Sequence, residues 1–98
     1  MKIYLDLSVS KVAKVQLKDG DAIKDEVIGK SALVLIDTLL KKHHLKLTDL
    51  EEVDSFKGPG SFTGLKVGAT IANTINYALG NNKTIEPVYE VVNENKEK

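Results

Sequence analysis

Apolar and polar residues alternate along the first third of the chain in the pattern of β-strands with one buried face. Residues 2–7 form the first predicted strand, residues 12–17 the second and residues 22–27 the third. The pair Asp19-Gly20 between the second and third strands is a strong hairpin signal. The chain is therefore expected to begin with three strands joined by short connections.

The rest of the chain alternates helical and extended patterns. A helix is predicted from about residue 32 to residue 43, with Ser31 as its N-cap. A short strand over residues 53–57 follows, and then a longer helix over residues 63–79. A fifth strand is predicted over residues 85–89. The predicted element order is therefore β-β-β-α-β-α-β.

This order predicts an α/β domain of two layers. Crossover connections between parallel strands are right-handed, so strands four and five would extend the sheet beyond strand one, with both helices on the same face. The other face is expected to contact solvent, because Lys2, Tyr4 and Asp6 share one side of the first strand. A sheet covered on both faces would instead show unbroken apolar runs. We expect a five-stranded mixed sheet with two helices on one face.

The length of the chain limits the number of domains, and its charge argues against direct binding of nucleic acid. The 98 residues suit one domain, predicted over residues 1–90, and the Glu-, Asn- and Lys-rich residues 91–98 are expected to form a flexible tail. Fourteen lysines balance fourteen acidic residues, and there is no arginine. Domains that bind nucleic acid by themselves normally carry a basic excess. Any contact with RNA is therefore expected to run through a partner.

The chain also lacks the usual signs of export or membrane insertion. No apolar run approaches the roughly 18 residues of a membrane span, and no charged-then-apolar start suggests a signal peptide. There are no cysteines, so neither disulfides nor thiolate metal sites can form. We expect a cytoplasmic protein without membrane contact.

Residues 57–68 connect the fourth predicted strand to the second helix and are the most informative stretch. Their glycines permit unusual backbone angles and close approach, and Ser61 and Thr63 can cap the helix that follows. Such a turn can hold an anion at a helix N-terminus. The spacing fits neither the P-loop nor the dinucleotide motif, since five residues separate Gly58 from Gly64 and three separate Gly60 from Gly64.

This stretch resembles the signature of the TsaB family, and the similarity extends over about residues 3–89. An Asp-Leu-Ser triplet at residues 6–8 and the order of elements agree with the family. Lys66 stands where the family usually has arginine, and the chain is about half the usual length. It is therefore expected to be a half-length member without the second lobe. The signature residues are Gly58, Pro59, Gly60, Ser61, Phe62, Thr63, Gly64, Leu65 and Lys66.

The resemblance implies half of a ribonuclease H-like fold of the actin-like ATPase superfamily. It also implies a non-catalytic subunit of the machinery that makes N6-threonylcarbamoyladenosine at position 37 of tRNA. The subunit would bind and activate a TsaD-type threonylcarbamoyltransferase through its two helices, with a TsaE-type ATPase as a further component. Without the enzyme, the helices would form a homodimer. No catalytic residue, metal ligand or cofactor is expected in the chain, and tRNA contact would be indirect.

The two predicted helices carry more apolar surface than covering a sheet requires. Apolar and small residues of the second helix span an arc of about 200°, whereas about 100° suffices to cover a sheet. The remaining surface is poor in charge and includes an aromatic residue, as interface cores do. The small residues Gly64, Gly68 and Ala72 are interpreted as a strip for close packing between the two helices. The predicted partner interface comprises Leu33, Val34, Asp37, Leu40, Val67, Thr70, Ile71, Thr74, Tyr77 and Ala78.

Two other functions remain open from the residues alone. The loop at residues 58–64 and Asp6 could serve a small phosphate- or nucleotide-binding hydrolase, and the chain could be a stand-alone homodimer of unknown role. The pair His43-His44 is interpreted as the end of the first helix rather than a metal site, because histidine near a helix C-terminus favours the helix dipole. Neighbouring helical side chains also point about 100° apart.

Overall fold

Four strands and two helices follow one another over residues 1–87, the part of the chain that the computed structural model describes. Neither helix in this part is both long and apolar enough to cross a bilayer. A single 3-10 turn, Leu47–Asp49, precedes the last strand. The elements are β1 (Lys2–Asp6), β2 (Ala13–Asp19), β3 (Ala22–Gly29), α1 (Ala32–Lys42), β4 (Glu52–Ser55) and α2 (Phe62–Ala78).

The sheet is mixed and has the strand order β3-β2-β1-β4. β1 pairs antiparallel with β2 and parallel with β4, so that Ile3 lies opposite Leu17 on one side and Val53 on the other. β2 and β3 form the predicted hairpin, and Gly20 in its turn has a φ of +61°, which glycine adopts without steric cost. The mixed sheet with two helices is confirmed.

The hydrophobic core lies between one face of the sheet and the two helices. In β1, β2 and β4 alternate residues are buried, and the residues between them are at most partly covered, as a period of two requires. α1 packs on β2 and β3, whereas α2 packs on β4 and β1. Each helix contributes leucines or alanines to the same core cluster. The buried strand residues include Ile3, Leu5, Ala13, Val15, Leu17 and Val53.

The predicted fifth strand is wrong: the sheet described over residues 1–87 has four strands. The backbone of Ile85 bonds to a side chain instead of a neighbouring strand. Its N–H donates to Oδ1 of Asn73 at 2.6 Å, and its carbonyl accepts from Nδ2 of Asn73 at 3.0 Å. Pro87 has no N–H to donate to a ladder. Residues 88 and 89, and the predicted tail over residues 91–98, lie outside the described residues.

Both helices begin at the predicted N-caps. The hydroxyl of Ser31 accepts a hydrogen bond from the N–H of Val34, and the hydroxyl of Ser61 accepts one from the N–H of Gly64, each at 3.3 Å. These bonds satisfy amides that have no partner inside the helix. α1 ends at His43, whose N–H donates to the carbonyl of Leu39 at 3.1 Å. The interpretation of His43 as the end of the helix is confirmed.

A carboxylate on β3 fastens the end of α1 to the sheet. Oδ2 of Asp25 lies 2.9 Å from Nε2 of His43 and 2.9 Å from Nζ of Lys42, and Oδ1 accepts from the N–H of Glu26 at 2.8 Å. The hydrogen bond from His43, with those from Lys42 and Glu26, holds the pKa of the Asp25 carboxyl well below its usual range. The ionised carboxylate therefore stabilises the fold.

We expect Asp25→Asn to lower the free energy of unfolding at neutral pH, with a loss that depends on pH. Because the pKa of Asp25 is lower in the folded state than in the unfolded state, its stabilisation is complete above the unfolded pKa of about 4 and is lost as the pH falls. Urea unfolding of both proteins between pH 7 and pH 3 measures this difference. The matched control is Asp37→Asn, which removes an exposed ion pair to Lys41. A difference that does not shrink on acidification would contradict the prediction.

Signature loop and candidate partner interface

The signature loop, residues 57–61, leads from β4 into α2 and lies against the end of β1. The N–H of Phe56 donates to the carbonyl of Leu5 at 2.7 Å, which prolongs the parallel pairing of β1 and β4. The N–H of Ser61 then donates to the carbonyl of Ser8, also at 2.7 Å. Gly58 has a φ of +119°, and the Gly58–Pro59 peptide is cis. The loop is therefore tied to the strand end at both of its own ends.

Three glycines bring α2 into contact with the strand ends. A Cβ atom at Gly60 would lie 2.6 Å from Cβ of Ser8, and one at Gly68 would lie 2.5 Å from Oγ of Ser55. A Cβ atom at Gly64 would overlap the carbonyl oxygen of Leu7. The absence of side chains at these positions lets the helix approach the backbone of β1.

The predicted packing of the strip against α1 is wrong for Gly64 and Gly68. These glycines contact Leu7, which follows β1, and Ser55 of β4 instead of the other helix. The physical reason is the placement of the two helices, since α1 covers one half of the sheet and α2 covers the other. Gly64 and Gly68 therefore serve packing between helix and sheet.

The polar groups around the loop largely bond to one another. The N–H of Gly64 and the N–H of Leu65 both donate to Ser61, at its hydroxyl and its carbonyl respectively. Oδ1 of Asp6 accepts from the N–H and the hydroxyl of Ser8, at 3.0 and 2.6 Å. Within residues 1–87, no group of three or more His, Asp or Glu side chains is arranged to hold a metal ion. The loop geometry thus favours a structural role over anion binding.

The remaining signature residues divide between the core and the surface. Leu65 is buried in the core, whereas Thr63 and Lys66 are exposed on the first turn of α2. Phe62, the first residue of α2, is 60% exposed. These exposed side chains adjoin the helix surface that the sequence marks as an interface.

The predicted interface residues mostly lie on the solvent side of the helices. Leu33 and Val34 are each 61% exposed, and Tyr77 is 87% exposed. Val67, Asp37, Thr70, Thr74 and Ala78 are exposed as well, and Ile71 is partly buried. Leu40 is mostly buried and contributes to the core.

A groove of about 450 Å³, called the interhelical groove below, is lined by α1, by residues 45–47 and by Ile75 of α2. Leu40 lines it from α1, and Leu33 and Asp37 lie on the same wall. The sequence prediction missed several apolar residues that line this interhelical groove, because they come from different elements that only the fold brings together. Of these residues, Leu47 could have been recognised from the sequence, because it is an apolar residue within a polar turn. The missed residues are Ile36, Leu45, Leu47 and Ile75.

The chain is similar to proteins of one tRNA-modification system. The family model described as "TsaD: tRNA N6-adenosine threonylcarbamoyltransferase" matches residues 29–89, more than half of the chain. A protein of Buchnera aphidicola subsp. Baizongia pistaciae named "tRNA threonylcarbamoyladenosine biosynthesis protein TsaB" is 36% identical over 47 residues. That match covers 48% of this chain and 21% of the relative.

Solved structures show the same fold. YeaZ from Pseudomonas aeruginosa superposes with a TM-score of 0.68 at 20% identity, over 82% of this chain and 40% of that one. An uncharacterized protein with similarity to peptidase YEAZ from Pseudomonas aeruginosa gives 0.67 at 18% identity, over 91% and 43%. These likenesses show that the chain shares the α/β fold of YeaZ. The chain spans less than half the length of each of these relatives.

We expect Gly64→Ala to destabilise the protein by about 2 kcal/mol or more in the free energy of unfolding, because the added methyl group meets the backbone carbonyl of Leu7. The direction of the change in the free energy of unfolding is informative, since alanine within a helix is otherwise favoured over glycine by about 1 kcal/mol. Denaturant unfolding followed by circular dichroism measures the loss.

Gly29→Ala is the matched control for this substitution. A Cβ atom at Gly29 would meet only the flexible side chain of Leu35, at 3.1 Å. We expect a loss below about 1 kcal/mol for this variant. Equal losses for the two variants, or a stabilised Gly64→Ala, would show that α2 does not approach β1 as closely as described.

Proposed function

We propose, from the premise that this chain belongs to the TsaB family, that it is a non-catalytic subunit of the machinery that makes N6-threonylcarbamoyladenosine at position 37 of tRNA. In this role it binds and activates a TsaD-type threonylcarbamoyltransferase through α1 and α2. The observation that carries the proposal is the exposed apolar surface of these two helices and the groove between them. Catalysis belongs to the partner.

Burying the exposed apolar surface of α1 and α2 in an interface costs little desolvation free energy. Leu33, Val34 and Tyr77 present large apolar areas, whose burial contributes about 25 cal/mol per Å². The hydroxyl of Thr70 already donates to the carbonyl of Lys66 at 2.8 Å, and that of Thr38 donates to the carbonyl of Val34 at 2.8 Å. Because these donors are satisfied inside the helix, a partner need not replace hydrogen bonds to water.

The opposite face of the sheet is a poorer candidate. Lys14, Gln16 and Glu26 share that face, and Nε2 of Gln16 donates to Oε1 of Glu26 at 3.1 Å. Desolvating charged groups costs far more than desolvating apolar ones. Interface cores are accordingly depleted of charged residues. Asp37, Lys41 and Lys46 also line the groove, but the helix surface beside them exposes the large side chains Leu33, Val34 and Tyr77, which supports docking through the helices.

The match to the family model supports the same assignment, since residues 29–89 include both helices and the signature loop. The loop glycines then have an indirect part in binding, because they set the position of α2 on the sheet. The partner we propose is a TsaD-type catalytic subunit, with a TsaE-type ATPase as a third component. A homodimer through the helices forms when the enzyme is absent. Contact with tRNA runs through the enzyme, in keeping with a net charge of zero.

We expect Leu33→Glu to abolish a one-to-one complex with the TsaD-type protein from the same source. A charge at the centre of an apolar interface typically costs 2 kcal/mol or more, which is roughly thirtyfold in affinity. Light scattering behind size exclusion, on each protein alone and on the mixture, measures the complex.

The matched control is Ile28→Glu, since Ile28 is 64% exposed but lies on β3, away from the interhelical groove. This variant should bind as the wild type does. A complex that tolerates Leu33→Glu but is broken by Ile28→Glu would place the interface on the sheet and overturn the proposal. Absence of any wild-type complex would overturn the choice of partner.

A further inference from the structure

In the described part of the chain, β4 has a strand neighbour on one side only, and α2 covers its other side. Its inner side faces β1, as the hydrogen bond from the N–H of Phe56 to Leu5 shows. Hydrogen-bonding groups alternate between the two sides of a strand, so Val53 and Ser55 direct theirs away from β1. Strand edges that are left uncovered are templates for pairing with another chain.

Side chains occupy the hydrogen-bonding groups along this outer edge. Oδ1 of Asn76 accepts from the N–H of Val53 at 2.7 Å, and Nδ2 of Asn76 donates to the carbonyl of Val53 at 2.8 Å. Oδ1 of Asp54 accepts from the N–H of Ser55 at 2.8 Å. Nδ2 of Asn81 donates to the carbonyl of Glu51 at 3.0 Å. These four backbone groups are thus satisfied without a neighbouring strand.

Asn76 takes the place that the peptide groups of a neighbouring strand would fill. A primary amide presents a donor and an acceptor side by side, as a strand does to its neighbour. Asn76 and Val53 are both fully buried, so these two bonds are shielded from water. Leucine at this position would have a similar volume and neither polar group. Aspartate would lack the donor to the carbonyl.

Charged groups reinforce the same edge. Nζ of Lys83 lies 3.0 Å from Oε2 of Glu52 and 3.6 Å from Oδ2 of Asp54. Lysine is one of the residues that discourage strand pairing at sheet edges. At the opposite edge of the sheet, on β3, one similar side-chain bond is present: Oδ1 of Asp25 accepts from the N–H of Glu26.

We propose that Asn76 closes the β4 edge against strand addition and so prevents copies of this chain from pairing edge to edge. The inference is independent of the proposed function, because it concerns a part of α2 that faces the sheet rather than the partner. It assigns Asn76 a role in controlling association in addition to its role in packing.

The test compares Asn76→Leu with wild type and with Asn73→Leu. Asn73 lies one turn earlier on α2 and bonds to Ile85, so its replacement disturbs the same helix but leaves Val53 covered. Amide exchange followed by nuclear magnetic resonance should show about tenfold or faster exchange at Val53 in dilute Asn76→Leu, and no comparable change at Val53 in Asn73→Leu. Sedimentation should show association that increases with concentration for Asn76→Leu only.

Both substitutions are made together with Leu33→Glu, so that pairing through the helices does not contribute to the measured association. A folded Asn76→Leu that stays monomeric over the same concentration range overturns the proposal, whatever the outcome with the TsaD-type partner. If that variant does not fold, Asn76→Ser enters the same comparison. Rapid exchange of the Val53 amide in folded wild type would also overturn the proposal, since the edge would then be open already.

Discussion

The close approach of α2 to the ends of β1 and β4 determines the rest of the arrangement. It requires positions without a Cβ atom, and Gly64 and Gly68 supply them where side chains would meet Leu7 and Ser55. Once the position of α2 on the sheet is set, the helical repeat of 3.6 residues determines which of its side chains face the sheet and which face solvent. Tyr77 then faces solvent while its neighbour Asn76 is fully buried.

The two helices are held independently of each other. α2 depends on the backbone contacts of its glycines, and α1 depends on its leucines and on the bonds from its C-terminal end to Asp25. Since each helix is fixed to the sheet, the apolar surface between them stays open instead of closing by mutual packing. An open apolar surface on an otherwise highly charged small protein is typical of an interaction site.

Periodicity, turn residues and helix caps together predicted β1 to β4 and both helices, because a strand with one buried face has a period of two and the caps Ser31 and Ser61 mark the helix starts. The fifth strand was wrong because propensity does not reveal that Asn73 competes for the backbone of Ile85. The interhelical groove was missed in part, since Leu45, Leu47 and Ile75 are distant in sequence. The composition of the partner interface stays a prediction, since exposure identifies a surface and not its partner.

The division of the helices between the two halves of the sheet has a mechanical consequence. α1 lies on β2 and β3, whereas α2 lies on β1 and β4, so the boundary between the two halves runs between β1 and β2. Neighbouring strands are rotated relative to each other by roughly 20°. The twist between β1 and β2 therefore contributes directly to the angle between the helices. A substitution on the polar face of β1 or β2 that altered this twist would change the width of the groove without touching either helix.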